Sequence, residues 1–78
     1  MAETIRAEQD LGHVIRRYRL RAGLTQEELA SRTRLRQKTI SDVERGQGGT
    51  LKTLFLIARA LKFELVAEPR SDREIEGY

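Results

Sequence analysis

Apolar residues recur at helical spacing through most of the chain. Leu11, Val14, Ile15 and Tyr18 fall at i, i+3, i+4 and i+7, one stripe of a helix expected from about Glu8 to Ala22 and ended by Gly23. Thr25 followed three residues later by Glu28 is the signature of a capping box, and Leu29 and Ala30 are the inward positions of the short second helix that it opens. A turn is expected over Thr33 to Leu35. Ile40, Val43 and Glu44 then mark the inner side of a third helix from about Gln37 to Arg45, with Gly46 as its terminator. After the glycine-rich GQGG, Thr50 is the N-cap of a fourth helix with apolar positions Leu51, Leu54, Phe55, Ile57, Ala58 and Leu61.

The period changes at the end of this helix. In LKFELVAEP, Phe63, Leu65 and Ala67 alternate with Lys62, Glu64, Val66 and Glu68, and Pro69 closes the run, which is the pattern of a β-strand. No second segment reads as a strand, yet the N–H and C=O groups of this one need partners. The same strand from a second copy, paired across a twofold axis, supplies them. Phe55, Phe63, Leu65 and Ala67 would then be the apolar contacts of the interface. The expected fold is mainly α, a bundle of four to five helices with one C-terminal β-strand that forms an intermolecular two-stranded sheet in a dimer. The chain divides into an N-terminal arm (1–8), a helical domain (9–61), a dimerising strand (62–69) and a flexible tail (70–78), where Ile75 and Tyr78 stand in a polar setting.

Composition narrows the function. A chain of 78 residues has a marginal core, and with no cysteine and one histidine neither disulfides nor a structural metal are expected to reinforce it. Oligomerisation is the remaining route, in keeping with the strand. No apolar run reaches a membrane span, and Met1 to Asp10 is polar rather than a leader, so a cytoplasmic protein is expected. His13 lies one position off the apolar stripe and has no catalytic companion, which argues against an enzyme and against any cofactor. Charge is unevenly spread: residues 13–45 carry nine basic and four acidic side chains, while residues 1–12 and 62–78 each sum to −2. A basic middle between acidic ends suits a polyanionic partner.

The stretch GLTQEELASRTRLRQKTISDVERG, residues 23–46, resembles the helix-turn-helix of the Xre and phage-repressor-like family, with its Gly-Leu-Thr-Gln-x-Glu-Leu-Ala opening and closing Ile-Ser-x-x-Glu-x-Gly. The resemblance implies that the third helix enters the major groove of double-stranded DNA. Gln37, Lys38, Ser41 and Asp42 are the base-reading candidates: glutamine pairs with adenine N6 and N7, lysine donates to guanine O6 and N7, and a carboxylate accepts from cytosine N4. Phosphate contacts are expected from the start of the second helix at Thr25 and Gln26, from Arg34, Arg36 and Thr39, and from Gln47 and Lys52 around the loop. Arg19 and Glu44 match a structural ion pair of similar repressors. Two positions depart from the pattern: Arg34 stands where the turn usually has glycine and Thr33 where an aliphatic residue is usual, so a slightly altered turn is expected.

The run TLKTLFLIARALKFELVAE, in which a fourth helix passes straight into a closing strand, is similar to the HipB-like antitoxins. That likeness implies a dimer on a palindromic operator, a HipA-type serine/threonine kinase toxin as partner, and repression of the shared operon. The alternatives are a stand-alone Xre-type repressor, the antitoxin of an unrelated toxin such as a ribonuclease, and a protein-only adaptor that uses the fold without DNA.

Overall fold

A computed structural model describes residues 3–70, and Ile75, Tyr78 and nearly all of the expected tail lie outside them. Four helices follow one another: α1 (Glu8–Arg21), α2 (Gln26–Thr33), α3 (Gln37–Glu44) and α4 (Leu51–Leu61). The apolar stripes explain the packing. Each helix contributes one side chain wholly removed from solvent, Ile15, Leu29, Ile40 and Ile57 respectively, and Leu24, Ala30, Val43 and Leu61 complete the core around them. Burying four such aliphatic side chains contributes on the order of 1.5–3 kcal/mol each.

Helix ends follow one rule throughout. In each, a residue in the left-handed region turns the chain, and the next residue donates its N–H to the carbonyl five positions back: Leu24 to Arg19 (3.1 Å), Leu35 to Ala30 (3.0 Å), Gln47 to Asp42 (2.8 Å) and Phe63 to Ala58 (3.0 Å). Gly23 and Gly46 hold two of these positions, as the sequence indicates. The other two are held by Arg34 (φ 59°) and Lys62 (φ 62°). Arg34 therefore keeps the conformation that glycine would adopt and accepts the steric cost, about 1–2 kcal/mol, instead of altering the turn. Thr33, expected in that turn, is the last residue of α2 and is buried; its hydroxyl donates towards the carbonyls of Leu29 (2.8 Å) and Ala30 (3.1 Å), which makes a polar side chain tolerable where an aliphatic one is usual.

Gly12 has a role that periodicity does not reveal. A Cβ at this position would lie 2.5 Å from the carbonyl oxygen of Glu44 and 2.7 Å from that of Val43, so α1 and the end of α3 touch backbone to backbone through it. At the amino end, the Asp10 carboxylate accepts from the N–H groups of Arg6 (2.9 Å) and Ala7 (3.1 Å), and Glu3 pairs with Arg17, which lays the arm back along α1.

After α4, residues 63–70 form no regular element within the one chain. The ring of Phe63 stacks at a tilt on Tyr18 with centroids 5.0 Å apart, so part of it belongs to the chain's own core edge. Phe55 (54% exposed) and Leu65 (44%) face solvent, and with Ala58, Arg59, Phe63 and Glu64 they line an open groove; Ala67 is exposed beyond it. Leu51, placed among the apolar positions of α4, also faces outward.

Candidate nucleic-acid interface

The anchor of the site is an ion pair inside the protein. Arg19 of α1 grips Glu44 of α3 through Nε (2.6 Å to Oε2) and Nη2 (3.0 Å to Oε1), and its Nη1 donates to the carbonyl of Leu24 (2.8 Å). Both side chains are more than nine-tenths buried. Gln26, the first residue of α2, donates its side-chain amide to Glu44 Oε1 (3.1 Å). One carboxylate thus ties together α1, the start of α2 and the end of α3, and fixes how α3 is held out from the bundle.

With Ile40, Val43 and Glu44 buried, α3 turns its other side outward. At 3.6 residues per turn, Gln37, Ser41, Arg45, Lys38 and Asp42 occupy a contiguous arc of about 140° opposite the core. Four of these are the base-reading candidates, and the structure brings them onto one face. Gln37 and Lys38 are exposed at its amino end, while Ser41 and Asp42 are half-buried one turn on. Arg45 is not among the candidates, yet it sits in the middle of the arc, although the sequence pattern includes it as the last residue of the expected helix. Thr39 lies outside the arc and is half-buried.

The face is internally bonded. Lys38 Nζ reaches Asp42 Oδ2 (3.3 Å), Arg45 Nη2 pairs with Asp42 Oδ1, and Arg45 Nη1 donates to Ser41 Oγ (2.6 Å). Ser41 therefore has its hydroxyl hydrogen left to donate outward.

The phosphate candidates flank this face. Arg34 and Arg36, both exposed, stand in the turn that leads into α3, and Arg36 is its N-cap, with no side-chain cap and no acidic residue in the first turn. Gln47 and Lys52 are exposed around the glycine-rich loop beyond its other end. At the start of α2, Thr25 is engaged in the helix's own cap. Its N–H is donated to Glu28 Oε1 (2.8 Å) and its hydroxyl accepts from the Glu28 N–H (3.0 Å), so both are used by the capping box. The N–H groups of Gln26 and Glu27 are the ones that open the helix without a partner one turn back. Hydrogen bonding to the Glu28 carboxyl, first from the Thr25 backbone N–H and then from the Thr25 side chain, with Arg32 nearby, holds it below the usual glutamate range and keeps a negative charge at the positive end of the helix.

Among the described residues there is no cluster of metal-ligating side chains, and no helix is long and apolar enough to cross a membrane.

A family profile described as helix-turn-helix matches residues 15–66. Among solved structures, the chain resembles that of a HipB-O4 20mer complex with 29% identity and a TM-score of 0.79, covering 87% of this chain and 97% of that one. The structure of a HipA-HipB-O2-O3 complex matches with the same identity, score and coverage. The wild-type restriction-modification controller protein C.Esp1396I is 36% identical with a TM-score of 0.67, over 73% of this chain and 76% of that one. No curated protein sequence matches the chain.

Proposed function

The chain belongs to the Xre-type helix-turn-helix family of DNA-binding regulators, and from that premise we infer that it is a sequence-specific repressor, the antitoxin partner of a HipA-type kinase, acting as a homodimer on a palindromic operator of its own operon. The observation that carries the antitoxin reading is the extent of the likeness to HipB. It runs over 87% of this chain and 97% of the other, and so takes in α4 and the segment after it as well as the helix-turn-helix.

In this reading α3 lies in the major groove. Gln37, Lys38 and Ser41 meet base edges, where each base pair displays its own donors and acceptors. Arg34, Arg36, Lys52, Gln47, Thr39 and the open end of α2 at Gln26 meet phosphates and set the register. Glu44 makes the grip of the two helices rigid: it is bonded at once to the arginine of α1 and to the residue whose N–H faces the backbone phosphate. Two copies joined through residues 62–69 place their α3 helices about 34–36 Å apart, one turn of duplex. Burial of Phe55, Leu65 and the outer part of Phe63 is what joins them. Such a protein works in the cytoplasm, on the nucleoid.

A second reading, a stand-alone controller with no toxin, is favoured by the 36% identity to C.Esp1396I. Co-expression with a HipA-type kinase separates the two. Stable co-purification of a ternary complex with a duplex from the upstream region supports the antitoxin; a dimer that binds this duplex and ignores the kinase supports the controller. Loss of duplex binding in both preparations, at low salt as well as high, contradicts each of them.

A further inference from the structure

Asp42 stands at the edge of a face that has to approach a polyanion, and both of its carboxylate oxygens are engaged by neighbouring cations, Lys38 of the same helix at 3.3 Å and Arg45 just past its end. The carboxylate keeps only 28% of its side-chain surface in solvent, whereas Lys38 and Arg45 keep 82% and 55% of theirs. The cations are thus presented outward and the acid is tucked between them. A carboxylate and a phosphate offer the same two-oxygen acceptor to a guanidinium fork. We propose that Asp42 is a built-in competitor of DNA phosphate, a specificity-determining residue that restrains Lys38 and Arg45 from binding duplex irrespective of its sequence.

This rests on the assignment of α3 to the major groove. On a random duplex, a phosphate must draw Lys38 or Arg45 away from Asp42 and leave the freed carboxylate against the DNA backbone. On the operator, base edges that donate to the carboxylate, or that accept from the two cations in the geometry the triad already holds, avoid that loss. Asp42 therefore lowers affinity for all sequences but lowers it least for the right one. Arg45 is set for the second task by its other bond, since Ser41 Oγ at 2.6 Å fixes the direction of its guanidinium along the face.

The test is Asp42→Asn, which keeps shape and removes the charge, measured on a random-sequence 20-bp duplex and on the duplex that the native protein enriches from a random pool. Exposed ion pairs each change an equilibrium constant by a factor of roughly 1.5 to 5. Release of two cations is therefore expected to tighten binding to the random duplex roughly 2- to 25-fold per chain. The slope of log affinity against log salt should steepen by about 0.9 for each phosphate newly neutralised. The enriched duplex should gain less, so that the ratio between the two falls. The same substitution made in a Lys38→Gln, Arg45→Gln background should leave the ratio and the slope unmoved. Unchanged affinity and slope on the random duplex overturn the proposal, and so does a gain that persists without the two cations, which would be an effect of net charge alone. Failure of the native protein to enrich any sequence would instead overturn the groove assignment beneath it.

Discussion

Replacement of Glu44 by alanine is expected to cost this protein much of its stability, and the structure says why. The substitution removes three hydrogen bonds, two from Arg19 at 2.6 and 3.0 Å and one from Gln26 at 3.1 Å, and leaves the guanidinium with 8% of its side-chain surface in solvent. Only the Leu24 carbonyl, at 2.8 Å, still answers it. An uncompensated charge so placed costs about 3–5 kcal/mol. Domains of this size have total stabilities of roughly 4–12 kcal/mol, by the usual 0.05–0.15 kcal/mol per residue. At about 4–8 °C per kcal/mol, the thermal midpoint should fall by at least about 12 °C. Thermal unfolding followed by circular dichroism measures this, and a double-mutant cycle with Arg19→Met isolates the pair. The double variant should recover most of the loss, because a buried ion pair replaced by apolar groups is commonly neutral or better. A Glu44→Ala midpoint within 3–4 °C of the native one, less than about 1 kcal/mol, would show that water reaches the pair and that it does not hold α2 and α3 together.

Three other changes test separate parts of the account. Gly12→Ala should destabilise by about 1–2 kcal/mol although helix propensity alone favours alanine by about 1, because the added Cβ meets the carbonyls of Val43 and Glu44 and α1 must move away from α3; chemical denaturation that shows a gain would refute the close approach. Glu28 should titrate below the ordinary glutamate range by carbon NMR, and Thr25→Ala should bring it part of the way back. Its folded value being lowered, the support it gives to the start of α2 is present above the ordinary value and is lost as pH falls through the folded one, so an ordinary or raised titration would contradict the capping box as drawn. Leu65→Lys should raise the dimer dissociation constant at least tenfold, the effect of about 1.4 kcal/mol, while leaving the helical core intact, since Leu65 is 44% exposed in the single chain; sedimentation that still shows a full dimer at micromolar concentration would overturn the use of residues 62–69 as the joining segment.

Much of this architecture is legible in the sequence because it is written in local chemistry. The capping box at Thr25 and Glu28, the stop signals at Gly23 and Gly46, and the apolar stripes of all four helices each require residues only a turn apart. The inner residues of α3 are equally local, and once Ile40, Val43 and Glu44 are assigned inward, the outward arc follows. What escapes is set by contacts between distant segments. Gly12 looks like a weak point in a helix until Glu44, 32 positions later, is seen against it. Lys62 reads as the first residue of a strand, but the fit of Phe63 against Tyr18 makes it a left-handed cap. Gln26 looks free to meet phosphate with its amide, yet that amide serves Glu44 and leaves the backbone N–H for the task. Arg45, the last residue of the helix expected from the sequence, is the one member of the outward arc that the candidates omit. The proposed strand pairing requires a second copy, so a single chain offers no view of it.

The central claim is that the outer face of α3 reads bases while its flanks hold phosphates. Binding-site selection with Gln37→Ala, run beside Arg34→Ala, tests it most directly. The account predicts that Gln37→Ala relaxes preference at one base position in each half-site by about 1–3 kcal/mol with the rest of the site unchanged, whereas Arg34→Ala weakens enriched and random duplexes alike. Equal weakening of both duplexes by Gln37→Ala, with every base preference intact, would contradict it.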